Sequence, residues 1–169
     1  ITSRDGHELS SLEAYQGVIT PGFINMHCHL ELSHMKGKVN TGTGLISFIT
    51  GVVTKRAASE EEIQNAIAVA EAEMIENGIV AVGDISNVPD TFLQKSKGNI
   101  RYYTFVEFFD FLQNQNAVAE FEKYKAVYDE LNTTDNKNKK TCVPHAPYSV
   151  SEKLFALINE THQSEDITV

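Results

Sequence analysis

The chain has 169 residues, of which 41% are hydrophobic and 22% charged, a composition that is ordinary for a globular domain with a buried core. Its formal net charge is −9 at pH 7, which argues against nucleic acid or an anionic membrane surface as a partner. No apolar run is long enough for a membrane span. Two cysteines, Cys28 and Cys142, do not make a disulfide framework, so we expect a cytoplasmic protein.

Both ends of the sequence suggest a longer protein. It begins with Ile1 rather than Met, and residues 167–169 are typical of a strand that has only just begun. We therefore expect a fragment. Residues 1–17 are polar and turn-rich, and we expect them to be a lead-in from a small flanking β domain. We expect residues 18–169 to form a second, larger structural unit.

In that second unit, apolar runs alternate with amphipathic segments. The predicted strands cover residues 22–28, 79–82, 101–108 and 141–143, with a fifth strand starting at 167. The predicted helices cover residues 45–56, 60–77, 89–97, 117–131 and 152–162. Ser59 before three glutamates is a good helix N-cap, and Gly78 is a good stop. Strand–helix alternation of this kind predicts an α/β fold with parallel strands.

The first predicted strand ends in two histidines, His27 and His29, separated by one residue. Because side chains alternate along a strand with a period of two, both imidazoles should leave it on the same side. Two neutral imidazole nitrogens a few ångströms apart can bind one metal ion. Such a pair also occurs by chance, but its place at the end of an apolar strand after Pro21-Gly22 favours a metal site.

Ionisable residues also mark the ends of the next three strands. Asp84 closes the second strand, Glu107 lies near the end of the third, and His145 follows the fourth. In β/α folds the chemistry gathers at the carboxyl ends of the strands. Each residue has a simpler interpretation, since Asp84 could cap a turn and Glu107 could be a solvated edge residue. Glu31, just after the histidines, fits either a residue that orients the metal ligands or an ordinary loop residue.

Two motifs resemble those of the amidohydrolase superfamily. P-G-F-I-N-M-H-C-H resembles its first-strand signature, and V-P-H-A-P-Y resembles the fourth-strand motif of its nucleobase and nucleoside deaminase branch. H-x-H-L-E-L-S is most similar to the group that contains the aminodeoxyfutalosine and S-adenosylhomocysteine deaminases. The latter carry an arginine near the end of strand three, where this chain has Glu107, a departure that argues against a substrate with a carboxylate tail.

The resemblance implies a (β/α)8 TIM-type barrel of a metal-dependent hydrolase, of which about the first half is present. It implies that His27 and His29 hold one divalent metal ion, Zn2+ or alternatively Fe2+. His145 would contact the substrate and not the metal. We assign Glu107 to the substrate as well, and Glu31 and Asp84 to the support of the metal ligands. The remaining ligands, on strands five, six and eight in this family, are expected after Val169.

The implied activity is hydrolytic deamination of an aminopurine nucleoside-like or related heterocyclic small molecule, with a homodimer left open. Two alternatives remain at this point. One is another amidohydrolase, acting on a cyclic amide or on a chloro- or aminotriazine. The other is a non-catalytic metal-binding relative of the barrel. A two-metal hydrolase would need a lysine at the end of strand four, where this sequence has His145, so one metal is expected.

Overall fold

Four parallel strands form a single sheet in the order β1-β2-β3-β4, so each strand pairs with the next one in sequence. The structure, a computed structural model, describes residues 13, 15–134 and 138–161. The strands are β1 (Phe23–Cys28), β2 (Ile79–Ser86), β3 (Arg101–Phe108) and β4 (Lys139–Pro144). This order confirms the predicted parallel α/β fold. The predicted fifth strand and most of the predicted lead-in lie outside the described residues.

The helices alternate with the strands, and four of the five begin where the sequence predicts them. They are α1 (Leu45–Lys55), α2 (Glu60–Glu76), α3 (Phe92–Ser96), α4 (Ala117–Thr134) and α5 (Glu152–Thr161). Ser59 and Glu62 form a reciprocal capping box at the start of α2. Gly78, with φ of 78°, ends the same helix in the left-handed conformation that glycine tolerates.

Two short 3-10 helices complete the connections, at Leu30–Met35 after β1 and at Pro89–Thr91 before α3. The single helix predicted over residues 89–97 is therefore divided into a 3-10 turn and α3. Such turns are frequent at the amino ends of α-helices. The predicted fifth helix begins at Glu152, and the Ser151 hydroxyl accepts a hydrogen bond from the Leu154 N–H at 3.2 Å.

The second strand is longer than the sequence predicts. Pairing with β3 continues to Ser86, which faces Val106, so Asp84 lies inside the strand and not at its end. Gly83 precedes Asp84 inside this strand. A Cβ on Gly83 would lie 2.8 Å from the carbonyl oxygen of Met26 in β1. Glycine therefore permits the close approach of the two strands.

The buried apolar side chains form two clusters between the sheet and its helices. One cluster joins β3, β4, α4 and α5, and its fully buried members include Val106, Phe108 and Leu154. The other lies under β1 and β2 and contains Leu30, Ile67, Val82, Ile100 and Tyr102. Both clusters occupy one side of the sheet, as expected where helices cover a parallel sheet.

The opposite side of the sheet carries apolar side chains that face an open cleft of about 590 Å³. Its lining includes Ile24, Met26, Ala81, Tyr103 and Phe105. In a β/α barrel this side of the strands fills the interior with packed side chains. No predicted site residue lines the cleft, so we do not assign function to it. Within the described residues, none of the helices combines the length and apolar character needed to cross a membrane.

Candidate metal and substrate site

His27 and His29 lie side by side at the carboxyl end of β1. Their ring centroids are 5.1 Å apart, in an edge-to-face arrangement. The register with β2 moves from Asn25–Val82 to Cys28–Asp84, which leaves one extra residue in β1. Such a bulge redirects side chains next to a site. The two imidazoles are therefore adjacent, as the sequence predicts, although the strand between Asn25 and Cys28 is irregular.

Neither imidazole makes a hydrogen bond to any other residue that the structure describes. Burial is the largest cause that lowers the pKa of His29, partly opposed by the nearby carboxylates of Glu107 and Asp84. A neutral imidazole is the form that binds a metal ion. The donor set therefore fits a divalent cation such as zinc. Among the described residues no cluster of three or more His, Cys, Asp or Glu side chains is placed to hold a metal, so a complete metal site is not present in this part of the chain.

The 3-10 helix after His29 is fixed by a buried carboxylate. Glu31 is 3% exposed, and its Oε2 accepts hydrogen bonds from the backbone N–H groups of Asn87 at 2.8 Å and Val88 at 3.1 Å. Burial raises the pKa of Glu31 to about 7, although these two hydrogen bonds lower it. Glu31 thus joins the segment after β1 to the segment after β2.

Asp84 supports the same segment from the helix side of the sheet. Its side chain is fully buried, and its Oδ1 accepts a hydrogen bond from the Leu30 N–H at 2.8 Å. Leu30 follows His29 directly, so this carboxylate anchors the backbone next to a predicted metal ligand. Burial and the Asp84 carboxylate together raise the pKa of Cys28 to about 12, which leaves its thiol protonated.

His145 and Glu107 form a contact between the ends of β4 and β3. The Nδ1 atom of His145 lies 2.8 Å from Oε1 of Glu107. The histidine side chain is 38% exposed, whereas the glutamate side chain is 8% exposed. The His145 backbone N–H also donates to the carbonyl of Phe108 at 3.0 Å. A buried carboxylate at Nδ1 fixes the ring and leaves Nε2 as its free edge.

Aromatic rings flank His145 on two sides. The ring of Phe109 lies 5.7 Å from the imidazole and that of Tyr148 lies 6.2 Å from it, both edge-to-face. Tyr148 is 74% exposed, so it offers an open aromatic surface beside the histidine. Planar heterocycles pack favourably against such rings.

Asn87 connects two parts of the candidate site, although it is not among the site residues that the sequence predicts. Its side-chain N–H donates to the Glu107 carbonyl at 2.6 Å, while its backbone N–H donates to Glu31. An asparagine after a strand gives no distinctive pattern, because turns use this residue widely. His34 lies in the 3-10 helix with Nε2 at 2.9 Å from the Arg56 carbonyl.

A match between this sequence and a known protein family identifies the fold. The amidohydrolase family profile matches residues 18–169, which include all four strands and every predicted site residue. The chain belongs to the amidohydrolase family. The order of its strands and helices accordingly makes it part of a (β/α)8 amidohydrolase barrel, as the resemblance implies.

Three relatives illustrate this membership. A Helicobacter pylori protein named adenosine deaminase is 30% identical over 140 residues, covering 81% of this chain and 33% of the relative. The crystal structure of H. pylori aminofutalosine deaminase in complex with methylthio-coformycin has a TM-score of 0.70 and 27% identity, covering 83% of this chain and 35% of that one. A Xanthomonas campestris adenosine deaminase structure with bound zinc has a TM-score of 0.65 and 20% identity, covering 83% of this chain and 33% of that one.

The chain spans about one third of the length of these relatives. It contributes the first four strands of the barrel, together with the helices that follow them. The carboxyl ends of consecutive barrel strands meet at one rim, which is where active sites form. His27, His29, Glu107 and His145 lie at this rim.

Proposed function

We propose that the protein is a metal-dependent hydrolase that removes an exocyclic amine from a small aminopurine-like heterocycle. The observation that carries the proposal is the placement of His27 and His29 beside a Glu107–His145 pair at the carboxyl ends of the strands. Family membership and the two deaminase relatives above 25% identity support it. The whole activity rests on a barrel of which this chain supplies one part.

His27 and His29 would hold the metal ion, and zinc fits their two nitrogen donors. The X. campestris relative with bound zinc is in keeping with this choice. When bound, a divalent metal lowers the pKa of a coordinated water and so supplies hydroxide near neutral pH. The resemblance assigns the remaining ligands and the proton-transfer glutamate to later strands of the barrel. We also propose that residues 1–17 belong to a small flanking β domain.

His145 would bind the heterocyclic ring through its free edge. Because Glu107 accepts the Nδ1 hydrogen, Nε2 is left to meet a ring nitrogen or a developing charge on the substrate. Glu107 is expected from the sequence to touch the substrate itself. Its carboxylate is nearly buried and already engaged by His145, so we propose that it acts through this histidine.

The residues at the end of β4 favour a single metal ion over two. Lysines of this strand, Lys139 and Lys140, lie at its amino end, away from His145. A lysine that bridges two metals would have to lie at the opposite end. We therefore propose one metal ion and deamination, and not a two-metal hydrolysis of cyclic amides.

The proposal is tested by ammonia release from a panel of aminopurine nucleosides and aminopterins, using the intact zinc-loaded protein. We expect turnover of at least one member and none after removal of the metal with a chelator. The variant His145→Ala should keep its zinc while losing roughly 100-fold or more in turnover, and exposed Lys123→Ala on α4 should match the wild type. A protein that binds zinc but releases ammonia from no member of the panel would refute deamination. Zinc loss in His145→Ala would make this residue a ligand.

A further inference from the structure

Lys95 of α3 is a fully buried cation on the helix side of the sheet. Its Nζ lies 2.7 Å from Oδ2 of Asp84, 3.1 Å from Oγ of Ser86 and 2.9 Å from Oγ1 of Thr104. A lysine ammonium has three N–H donors, and each one here has an oxygen partner. The cation also lies 5.3 Å from the centre of the Tyr102 ring. The buried ammonium group is therefore fully hydrogen-bonded.

The carboxylate of Asp84, which pairs with Lys95, also contacts the backbone next to the predicted metal ligand His29. Asp84 uses Oδ2 for Lys95 and for the Ser86 hydroxyl at 3.1 Å, and it uses Oδ1 for the Leu30 N–H at 2.8 Å. Leu30 is the residue after His29. Lys95 of α3 and Ser86 of β2 therefore fix the position of the Asp84 carboxylate. The carboxylate in turn fixes the backbone just after β1.

We propose that the buried Lys95–Asp84 ion pair is a positioning device for the metal ligand His29. Lys95 fixes the carboxylate, and the carboxylate fixes the Leu30 peptide and so the direction of the neighbouring imidazole. This inference rests on the proposed function, because it assumes that His27 and His29 bind zinc. It adds a residue, Lys95, to which the sequence pattern and the family resemblance assign no role.

A role in stability alone explains the pair less well. Taking two charges out of water costs free energy that their attraction often fails to recover, so apolar residues of similar volume are frequently as stable. Removing just one partner leaves an uncompensated buried charge, which is strongly destabilising. The feature that distinguishes this pair is the Leu30 N–H, an additional donor satisfied only by Asp84. Groups that orient metal ligands typically change metal affinity by about 10- to 100-fold.

The test measures the zinc dissociation constant of the intact protein by competition with a chromogenic chelator. Lys95→Met should weaken zinc binding about 10-fold or more, because the unpaired Asp84 carboxylate moves or takes up a proton. Adding Asp84→Asn should restore the affinity to within about threefold, since the amide oxygen still accepts the Leu30 N–H. Adding Asp84→Leu should not restore it, because no acceptor remains.

Two further variants separate positioning from folding. Ser86→Ala removes a hydroxyl that bonds both members of the pair without removing a charge, and it should weaken zinc binding a few-fold. Ile158→Ala, in the α4–α5 core far from β1, should lower the melting temperature without changing zinc affinity. If Lys95→Met does not fold, the zinc affinities of the Asp84→Asn/Lys95→Met and Asp84→Leu/Lys95→Met variants are compared. A weaker affinity in the leucine variant then supports the positioning role.

Equal zinc affinity in the wild type, Ser86→Ala and the folded Asp84→Leu/Lys95→Met variant would overturn the positioning role while leaving the proposed function intact. A loss of affinity in Ile158→Ala that matches its loss of stability would also overturn it. A wild-type protein that binds no zinc would instead refute the proposed function, and this inference with it.

Discussion

Glu107 Oε1 lies 2.8 Å from His145 Nδ1, and this contact joins the carboxyl ends of β3 and β4. The glutamate is nearly buried, while the histidine keeps more than a third of its side chain exposed. An arrangement of this kind fixes which ring nitrogen carries the proton and which one faces outward. The contact joins two residues that are remote in sequence and orients the imidazole of His145 at the carboxyl end of the sheet.

Replacement of Glu107 should impair substrate use without removing the metal. Glu107→Ala leaves the imidazole unrestrained, so we expect kcat/KM for the active substrate to fall about 10- to 100-fold at unchanged zinc content. Glu107→Gln keeps an oxygen that accepts the Nδ1 hydrogen and should lose less. Steady-state kinetics with metal analysis of the same samples checks this. Identical kcat/KM values in wild type and Glu107→Ala would show that the pair has no role in substrate use.

Gly83 should be required for the proposed metal site because it lies against the backbone of β1 just before His27. A Cβ at this position would lie 2.8 Å from the Met26 carbonyl oxygen, closer than real Cβ contacts allow. Gly83→Ala should therefore push β1 away from β2 and weaken zinc binding about 10-fold or more. Gly98→Ala is the matched control, because it strains a φ of 71° at the other end of the sheet. Zinc affinity that falls equally in both variants would contradict this explanation.

Asp110 should stabilise the segment that leads from β3 towards α5. Its Oδ1 accepts hydrogen bonds from the N–H groups of Ser151 at 2.8 Å and Leu112 at 3.2 Å. Phe111 and Leu112 adopt φ values of 52° and 62°, which non-glycine residues rarely adopt. Asp110→Ala leaves the buried Ser151 N–H unpaired and should cost about 1–3 kcal/mol of unfolding free energy.

Chemical denaturation of the intact protein measures this loss. Asp110→Asn, which keeps one acceptor oxygen, should lie between the alanine variant and the wild type. An alanine variant as stable as the wild type would mean that the Asp110 hydrogen bonds do not hold this segment.

The sequence predicts the alternation of strands and helices and the histidine pair because both follow from local patterns. A strand period of two places His27 and His29 together, and the observed ring distance of 5.1 Å agrees with that expectation despite the bulge in β1. The apolar run at residues 79–82 likewise identifies β2. Its true end at Ser86 is missed, because Gly83 and Asp84 are typical of a turn when neighbouring strands are not known.

Two residues that connect the elements around the candidate site, Lys95 and Asn87, are not predictable from local pattern. Lys95 lies on a short helix, where a lysine usually points to solvent, and its burial depends on how α3 packs onto β2 and β3. The contacts of Asn87 are equally hard to predict, since its partners Glu31 and Glu107 come from two other segments. Such contacts require the three-dimensional register of three strands.

The proposed metal site is tested most directly by the zinc content of the intact protein and of its His27→Ala variant, measured by elemental analysis after chelator treatment and reconstitution. We expect close to one zinc ion per wild-type chain and almost none in the variant, with the same far-ultraviolet circular dichroism in both proteins. His27→Ala protein that retains zinc at the wild-type level would contradict the assignment of His27 and His29 as metal ligands.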